Sequence, residues 1–326
     1  MDFWEQQRRA KRETTIYIII FFLMTAAVAA AAEFAMRMFA QEAYDPTFPL
    51  IGAAFASITF LAAAYNYLMY RSNGGGYVAE SLGAMKVDPQ TADPGLRQLV
   101  NVVEEMAVAS SLPVPEIYLL DAPAINAFAA GLVAENSAIC VTTGALRTLN
   151  RDELQGVIAH EFGHIYNRDM RITLILAALV MGFFVLIYIG LRILQFSSLS
   201  SREEEKKGNP VMLAALILIA AGAISWLGGA ILRSCVSRQR EYLADASAVQ
   251  FTRNPNGILG ALKKIEVESK QQMPAQGGAY AHMYFDHRSF WDFLFATHPP
   301  LSKRIEAIEG RKFEEANTEN HTPPAL

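Results

Sequence analysis

Four stretches of this chain carry no charged residue: 16–32, 48–70, 172–191 and 211–232. A helix needs about 20 consecutive apolar residues to cross a bilayer. The last three stretches meet that length, and Thr14 and Thr15 extend the first. All four are therefore expected to be transmembrane helices. The first follows Arg8, Arg9, Lys11 and Arg12, as a signal peptide would. Its apolar run is longer than the core of a usual signal peptide, so it is read as a retained anchor. Whatever is polar and globular must then be built from 71–171 and from the residues after 232.

Lys and Arg placement sets the expected topology. Four basic residues precede the first span, whereas the loop 33–47 has only Arg37 against Glu33, Glu42 and Asp45. This puts the N-terminus and residues 71–171 in the cytoplasm. The third and fourth spans form a hairpin that returns residues 233–326 to the same side. The hairpin loop carries Arg192, Arg202, Lys206 and Lys207, which runs against its outside placement. Two cysteines, Cys140 and Cys235, give no disulfide framework and suit a reducing compartment. A net charge of −4 leaves no footprint for nucleic acid.

Between the spans the pattern changes. The run 72–76, Ser-Asn-Gly-Gly-Gly, is expected to be a flexible exit from the second span. Asp93 and Pro94 open a helix that runs to about Ser110. Strand-like runs follow at 116–120, 125–131 and 138–143. Asn150 reads as an N-cap, with Glu153 three residues on, and starts a helix over 151–168. The fourth span is expected to continue through Phe251. Further helices fit 257–269 and 301–310, with a loop over 270–278. No internal repeat is present.

The segment His160-Glu161-Phe162-Gly163-His164 falls on the helix over 151–168. Residues four apart return to one face, so both histidines can reach one metal ion. Glu161 lies about 100° around the helix. From there it can work on a zinc-activated water as general base and then protonate the leaving amine. His-Glu-x-x-His is a zinc motif with a real false-positive risk. Here it uses two of only six histidines and closely follows a helix cap. A catalytic zinc also needs a third protein ligand. Glu241 and Asp245 share a helix face after the hairpin. Glu241 can bind a metal, and Asp245 can accept the outer N–H of a ligand histidine. Taken alone, such an acidic pair is more often a solvated face.

Four segments in order give the chain a resemblance to the HtpX-like membrane metallopeptidases, relatives of the zinc-dependent prenyl-protein proteases. They are Asn126-Ala127-Phe128-Ala129-Ala130-Gly131, Asp152-Glu153-Leu154 with the His160–His164 motif, Arg240-Glu241-Tyr242-Leu243-Ala244-Asp245, and Thr297-His298-Pro299-Pro300 with Arg304-Ile305. The resemblance spans most of 71–310. It implies one zinc ion per chain held by His160, His164 and Glu241, with Glu161 as catalytic base. It further implies that His298 helps stabilise the developing oxyanion and that Asn126, on a strand lining the cleft, helps hold substrate. Gly163 stands where the family often has a small polar residue, which is expected only to loosen the helix slightly.

The expected fold is a mostly α membrane protein. It has four transmembrane helices and a cytoplasmic α+β, zincin-like catalytic domain carrying a small β-sheet. The expected division is an anchor (1–71), the first catalytic part (72–171), a transmembrane hairpin (172–232), the second catalytic part (233–311) and a disordered tail (312–326). The expected function is zinc-dependent endopeptidase action at the cytoplasmic face of a bacterial inner membrane. The expected partners are the lipid bilayer and protein or peptide substrates; the resemblance implies misfolded or damaged membrane proteins among them. An intramembrane protease, a prenyl-protein protease and a non-catalytic zinc-binding scaffold stay open as alternatives. The sequence sets no oligomeric state.

Overall fold

The computed structural model describes residues 3–44, 46–200, 210–268 and 300–319. In chain order it contains α1 (Phe3–Ala40), α2 (Leu50–Ser81), β1 (Met85–Lys86), α3 (Pro94–Ser110), β2 (Glu116–Leu120) and β3 (Ala127–Ala130). There follow β4 (Ala138–Thr142), α4 (Thr143–Thr148), α5 (Arg151–Tyr166), α6 (Asp169–Ser200), α7 (Pro210–Thr252), α8 (Pro255–Glu268) and α9 (Leu301–Glu319). Two compact units divide the chain: Met1–Leu68 with Ile175–Arg233, and Met69–Leu174 with Ser234–Leu326. The expected loop 270–278 lies outside the described residues. The last helix runs to Glu319, past the expected end at Gly310; the remainder of the expected tail, 320–326, also lies outside them.

Four helices are long and apolar enough to cross a membrane: Thr15–Ala40, Leu50–Ser81, Asp169–Phe196 and Pro210–Ile231. In the first unit Phe21, Phe55 and Phe183 are fully buried, and the rings of Phe21 and Phe183 stack at 5.1 Å. Leu23, Phe34, Leu61 and Phe196 point outward and are exposed. A helical bundle that is apolar inside and out has lipid as its natural solvent. Small residues let the helices approach, as membrane bundles require: a Cβ on Gly182 would lie 2.5 Å from the Thr59 carbonyl oxygen. The buried hydroxyls of Thr25 and Thr59 donate to the carbonyls of Phe21 and Phe55, four residues back. These two hydroxyls are thus satisfied within their own helices, where no water is available. Glu33, the acid inside the first span, accepts from Arg37 Nε at 2.8 Å. Its other oxygen accepts from Tyr44 Oη and from the backbone N–H groups of Ile51 and Gly52. It therefore caps the start of α2, where a negative charge is favoured.

The second unit is built on a four-stranded sheet of order β1-β2-β4-β3. β2 and β4 are parallel, with Ile117 opposite Ile139, while β1 and β3 pair antiparallel at the two edges. α5 packs against β3, α3 and α8. Leu99, Val102 and Val103 from α3, Ile139 and Val141 from β4, and Leu154, Ile158, Phe162 and Ile165 from α5 form one buried core. Asp93 caps α3 through a bond from Leu96 N to Oδ1, with Pro94 at the first helical position. The run expected to be a flexible exit is instead helical and kinked, with Gly74 at φ 67° and ψ −161°. It lies on the sheet: a Cβ on Gly75 would sit 2.1 Å from the Ala130 carbonyl oxygen. Three consecutive glycines read as flexibility in a sequence, but here they serve close packing.

The crossing of α5 and α8 is also set by glycine. A Cβ on Gly156 would lie 2.4 Å from Ile258 N, and one on Gly257 would lie 2.4 Å from the Asp152 carbonyl oxygen. Both obstacles are backbone and cannot swing aside. Gly156→Ala is expected to lower the unfolding temperature in detergent, at a cost of about 1–3 kcal/mol or more. An unchanged unfolding temperature would mean that α8 does not sit this close.

Candidate metal centre

The site is assembled from four helices of the second unit. α5 starts with a reciprocal cap: Asn150 Oδ1 accepts from Glu153 N at 2.9 Å, and Glu153 Oε2 accepts from Asn150 N at 2.8 Å. Lys264 of α8 donates to the same Glu153 oxygen. The helix thus fixed carries His160, Glu161 and His164, with His160 fully buried and Glu161 2% exposed. α7 passes beside it. A Cβ on Gly163 would meet Ala244 Cα and its carbonyl oxygen at 3.0 Å and Ser247 Cβ at 3.1 Å. Gly163 therefore allows the approach that brings Glu241 to the histidines, a stronger role than the slight loosening expected.

The Nε2 atoms of His160 and His164 are 3.2 Å apart. Glu241 lies 3.5 Å from His160 Nε2 through Oε2 and 3.4 Å from His164 Nε2 through Oε1. One donor atom from each of the three residues lies within 4.8 Å of the others. Tetrahedral zinc with bonds of about 2.0–2.1 Å separates its donors by roughly 3.3–3.4 Å. The 3.2 Å between the two imidazole nitrogens is close to such an edge, and the Glu241 carboxylate turns one oxygen to each of them.

The outer nitrogens of the two histidines are each held by an aspartate. His160 Nδ1 is 2.9 Å from Asp245 Oδ1, as the Glu241/Asp245 spacing suggested. His164 Nδ1 is 3.2 Å from Asp169 Oδ2. Each aspartate is in turn held by an arginine. Arg304 of α9 donates to both oxygens of Asp245, at 2.6 and 2.9 Å. Arg240 NH1 donates to Asp169 Oδ1 at 2.6 Å. Arg304 also reaches Glu241 Oε2 at 3.2 Å. With Nδ1–H donated outward, each Nε2 lone pair faces the centre.

Charge gives an independent test of fit. Glu161, Glu241, Asp169 and Asp245 are buried beside two guanidinium groups, Arg240 and Arg304. Counted as ionised, they leave two negative charges in excess, the amount one divalent cation cancels. The environment is accordingly hungry for positive charge. Burial acts to lower the pKa of His164, yet its bonds to Asp169 and Glu241 carry it well above the usual imidazole value. His160 shows the same balance: burial and the Arg304 charge lower it, while Asp245 and Glu241 raise it further. Burial would raise the Asp245 carboxyl, but the charge and hydrogen bonds of Arg304 hold it at about 2. The donor set and its charge fit a divalent metal.

Burial, with the Glu161 charge adding to it, pushes the Cys140 thiol up to about 12. It is therefore an inert core thiol, with no nucleophile's role. Asn126 is 2% exposed at the entry to β3, and its backbone N–H donates to Thr142 Oγ1 at 3.0 Å. Its side-chain Oδ1 is buried with no hydrogen-bond partner among the described residues. His298 lies outside the described residues.

Sequence spacing missed Asp169, Arg240 and Arg304. Asp169 follows His164 by five residues, a spacing that places nothing on the same helix face. It comes under His164 because α5 ends first: Arg168 is left-handed at φ 60°, and its N–H donates to the Ile165 carbonyl. A left-handed non-glycine residue costs about 1–2 kcal/mol. Arg168→Gly is therefore expected to hold or raise the unfolding temperature, and Arg168→Val to lower it. The reverse order would show that Arg168 contributes through its side chain.

The model of peptidase family M48 matches residues 95–312, a span that contains every residue of this cluster. The chain belongs to peptidase family M48. A protease HtpX homolog of Caldanaerobacter subterraneus subsp. tengcongensis is 38% identical over 257 residues, covering 77% of this chain and 84% of the relative. One from Streptococcus uberis is 34% identical over 281 residues, covering 79% and 94%. One from Ligilactobacillus salivarius is 39% identical over 215 residues, covering 65% and 72%. The crystal structure of S. mikatae Ste24p is similar at 18% identity and a TM-score of 0.48, covering 91% of this chain and 66% of that one. This M48 peptidase is thus a metalloprotease, with four helices that make it a multi-pass integral membrane protein. Its substrates are proteins. A non-catalytic scaffold is no longer a reading of the chain.

Proposed function

We propose that this M48 peptidase holds one zinc ion between His160, His164 and Glu241 and hydrolyses peptide bonds with Glu161 as general base. The observation that carries the reading is the convergence of two imidazole Nε2 atoms and a carboxylate at 3.2–3.5 Å, each imidazole oriented by a buried aspartate. Zinc, when bound, polarises the scissile carbonyl and lowers the pKa of water to about 7. The chain's own residues do the rest. Glu161 takes a proton from the attacking water and delivers it to the leaving amine nitrogen. Asp245 and Asp169 keep the imidazoles in the tautomer that faces the centre. His298 is proposed to donate to the developing oxyanion.

Membrane parts at 1–71 and 172–232 and catalytic parts at 72–171 and 233–311 are supported by unit boundaries that fall close to these positions. α5 belongs to none of the four candidate spans, which favours cleavage outside the bilayer over an intramembrane reaction. The cytoplasmic face of a bacterial inner membrane is proposed from the basic residues ahead of the first span. The pairing of Arg37 with Glu33 leaves little basic character in the loop after it. On that face the enzyme would act on misfolded or damaged membrane proteins.

The proposal is tested on detergent-purified protein stripped with a chelator and offered an unfolded protein substrate. Cleavage should vanish with the metal and return on adding one equivalent of zinc. Cleavage that persists in metal-free protein would overturn it. Asn126 Oδ1 is proposed as an acceptor for a substrate N–H, because an unsatisfied buried acceptor costs about 1–3 kcal/mol and calls for a purpose. Asn126→Ala should raise KM while leaving the unfolding temperature unchanged or higher. A lower unfolding temperature with unaltered KM would make Asn126 structural.

A further inference from the structure

Two groups of the cluster come from neither ligand-bearing helix, Asp169 at the start of α6 and Arg304. His160 and His164 sit on α5 and Glu241 on α7, but Arg304 is carried by α9, beyond residues 269–299. Its side chain is fully buried. It donates to both oxygens of Asp245 at 2.6 and 2.9 Å. It also lies 3.2 Å from Glu241 Oε2. Its NH2 is 3.4 Å from His160 Nδ1 and 3.5 Å from His160 Nε2, so the guanidinium lies against the ring. One side chain therefore touches a ligand carboxylate, a ligand imidazole and the aspartate that orients that imidazole.

The rest of α9 is held mainly by apolar contacts: Ile305 and Ile308 pack on Ile258, Leu259 and Leu262 of α8. Lys263 adds an exposed ion pair with Glu309, of the kind worth little. A planar fork that binds both oxygens of a carboxylate fixes direction as well as distance, which an ammonium cannot do. Burying that fork is worthwhile only where Asp245 and Glu241 are themselves in place.

We propose that Arg304 is a positioning residue of the metal centre, so that metal binding and docking of α9 are one linked event. The inference rests on the metal-centre reading given above. Linkage of this kind is reciprocal: if docked α9 tightens metal binding, bound metal must tighten α9 by the same factor. The contacts that couple α9 to the centre are those of Arg304 with Asp245, Glu241 and His160. Arg304 acts on the reaction through the ligands it holds.

The test uses the full chain in detergent with Glu161→Gln throughout, which prevents self-cleavage. Zinc affinity is read by chelator competition, and hydrogen–deuterium exchange of residues 301–310 is followed with and without zinc. Zinc should slow exchange in these residues. Arg304→Met should weaken zinc by about 10–100-fold, as loss of a group behind a metal ligand does, and zinc should then no longer slow exchange in α9. Arg304→Lys should fall between, keeping the charge and losing the fork. Should the Met variant fail to fold, the Lys variant and the exchange of the unsubstituted chain still decide. Zinc affinity unchanged in Arg304→Met or Arg304→Lys, or α9 exchange indifferent to zinc, would overturn the proposal. A His164→Ala control separates the two readings. If it binds zinc as tightly as the parent, the metal centre itself is misassigned. If it loses zinc while Arg304→Met keeps it, only the role of Arg304 fails.

Discussion

Glu161→Gln should reduce proteolysis by about 10²–10⁴-fold while leaving zinc content at one per chain. The substitution keeps the shape of the side chain and removes only its ability to take a proton. Glu161 is next to His160 on α5 but is not among the three converging donors. Its loss should therefore spare the metal. Buried at 2% exposure, it can be exchanged for an amide without disturbing the helix surface. Parallel zinc analysis and steady-state rates on an unfolded protein check this. A variant that lost both zinc and activity would place Glu161 among the ligands. One that kept both would move the base elsewhere.

The second large effect concerns Glu241, and it is read as the response of stability to zinc. In the metal-free protein Glu241 pairs with both imidazoles and with Arg304, so Glu241→Gln should itself lower stability. With zinc present the parent gains stability by mass action, about 4 kcal/mol at a ligand concentration a thousandfold above Kd. The variant lacks the third ligand and should gain almost none of it. Thermal unfolding in detergent, with and without zinc, should show a large upward shift for the parent and a flat response for Glu241→Gln. Equal shifts would remove Glu241 from the ligand set.

What could be read ahead of the structure follows from which relations are local. The meeting of His160 and His164 was legible because a helix turns a spacing of four into a shared face. The caps at Asn150 and Asp93 were legible because capping is a contact over three residues. Spans were legible because a bilayer demands length without charge. The part played by Arg304 was not, since it meets Asp245 across 59 residues of sequence and His160 across 144. The segment that carries the resemblance includes Arg304, but no local spacing tells which groups its guanidinium meets. Asp169 was hidden by a break in helical periodicity at Arg168. Gly163 and the run Gly74 to Gly76 were misjudged for one reason: propensity describes what a glycine costs its own element. Here each glycine serves the element packed against it, with Ala244 lying on Gly163 and the backbone of Ala130 on Gly75.

X-ray absorption at the zinc edge of the purified, unsubstituted protein tests the central claim most directly. Two imidazole nitrogens with oxygen completing the shell, at distances of about 2.0–2.1 Å, are the expected result. A sulfur shell at about 2.3 Å would assign the metal to a cysteine, and a spectrum with no imidazole contribution would remove it from His160 and His164.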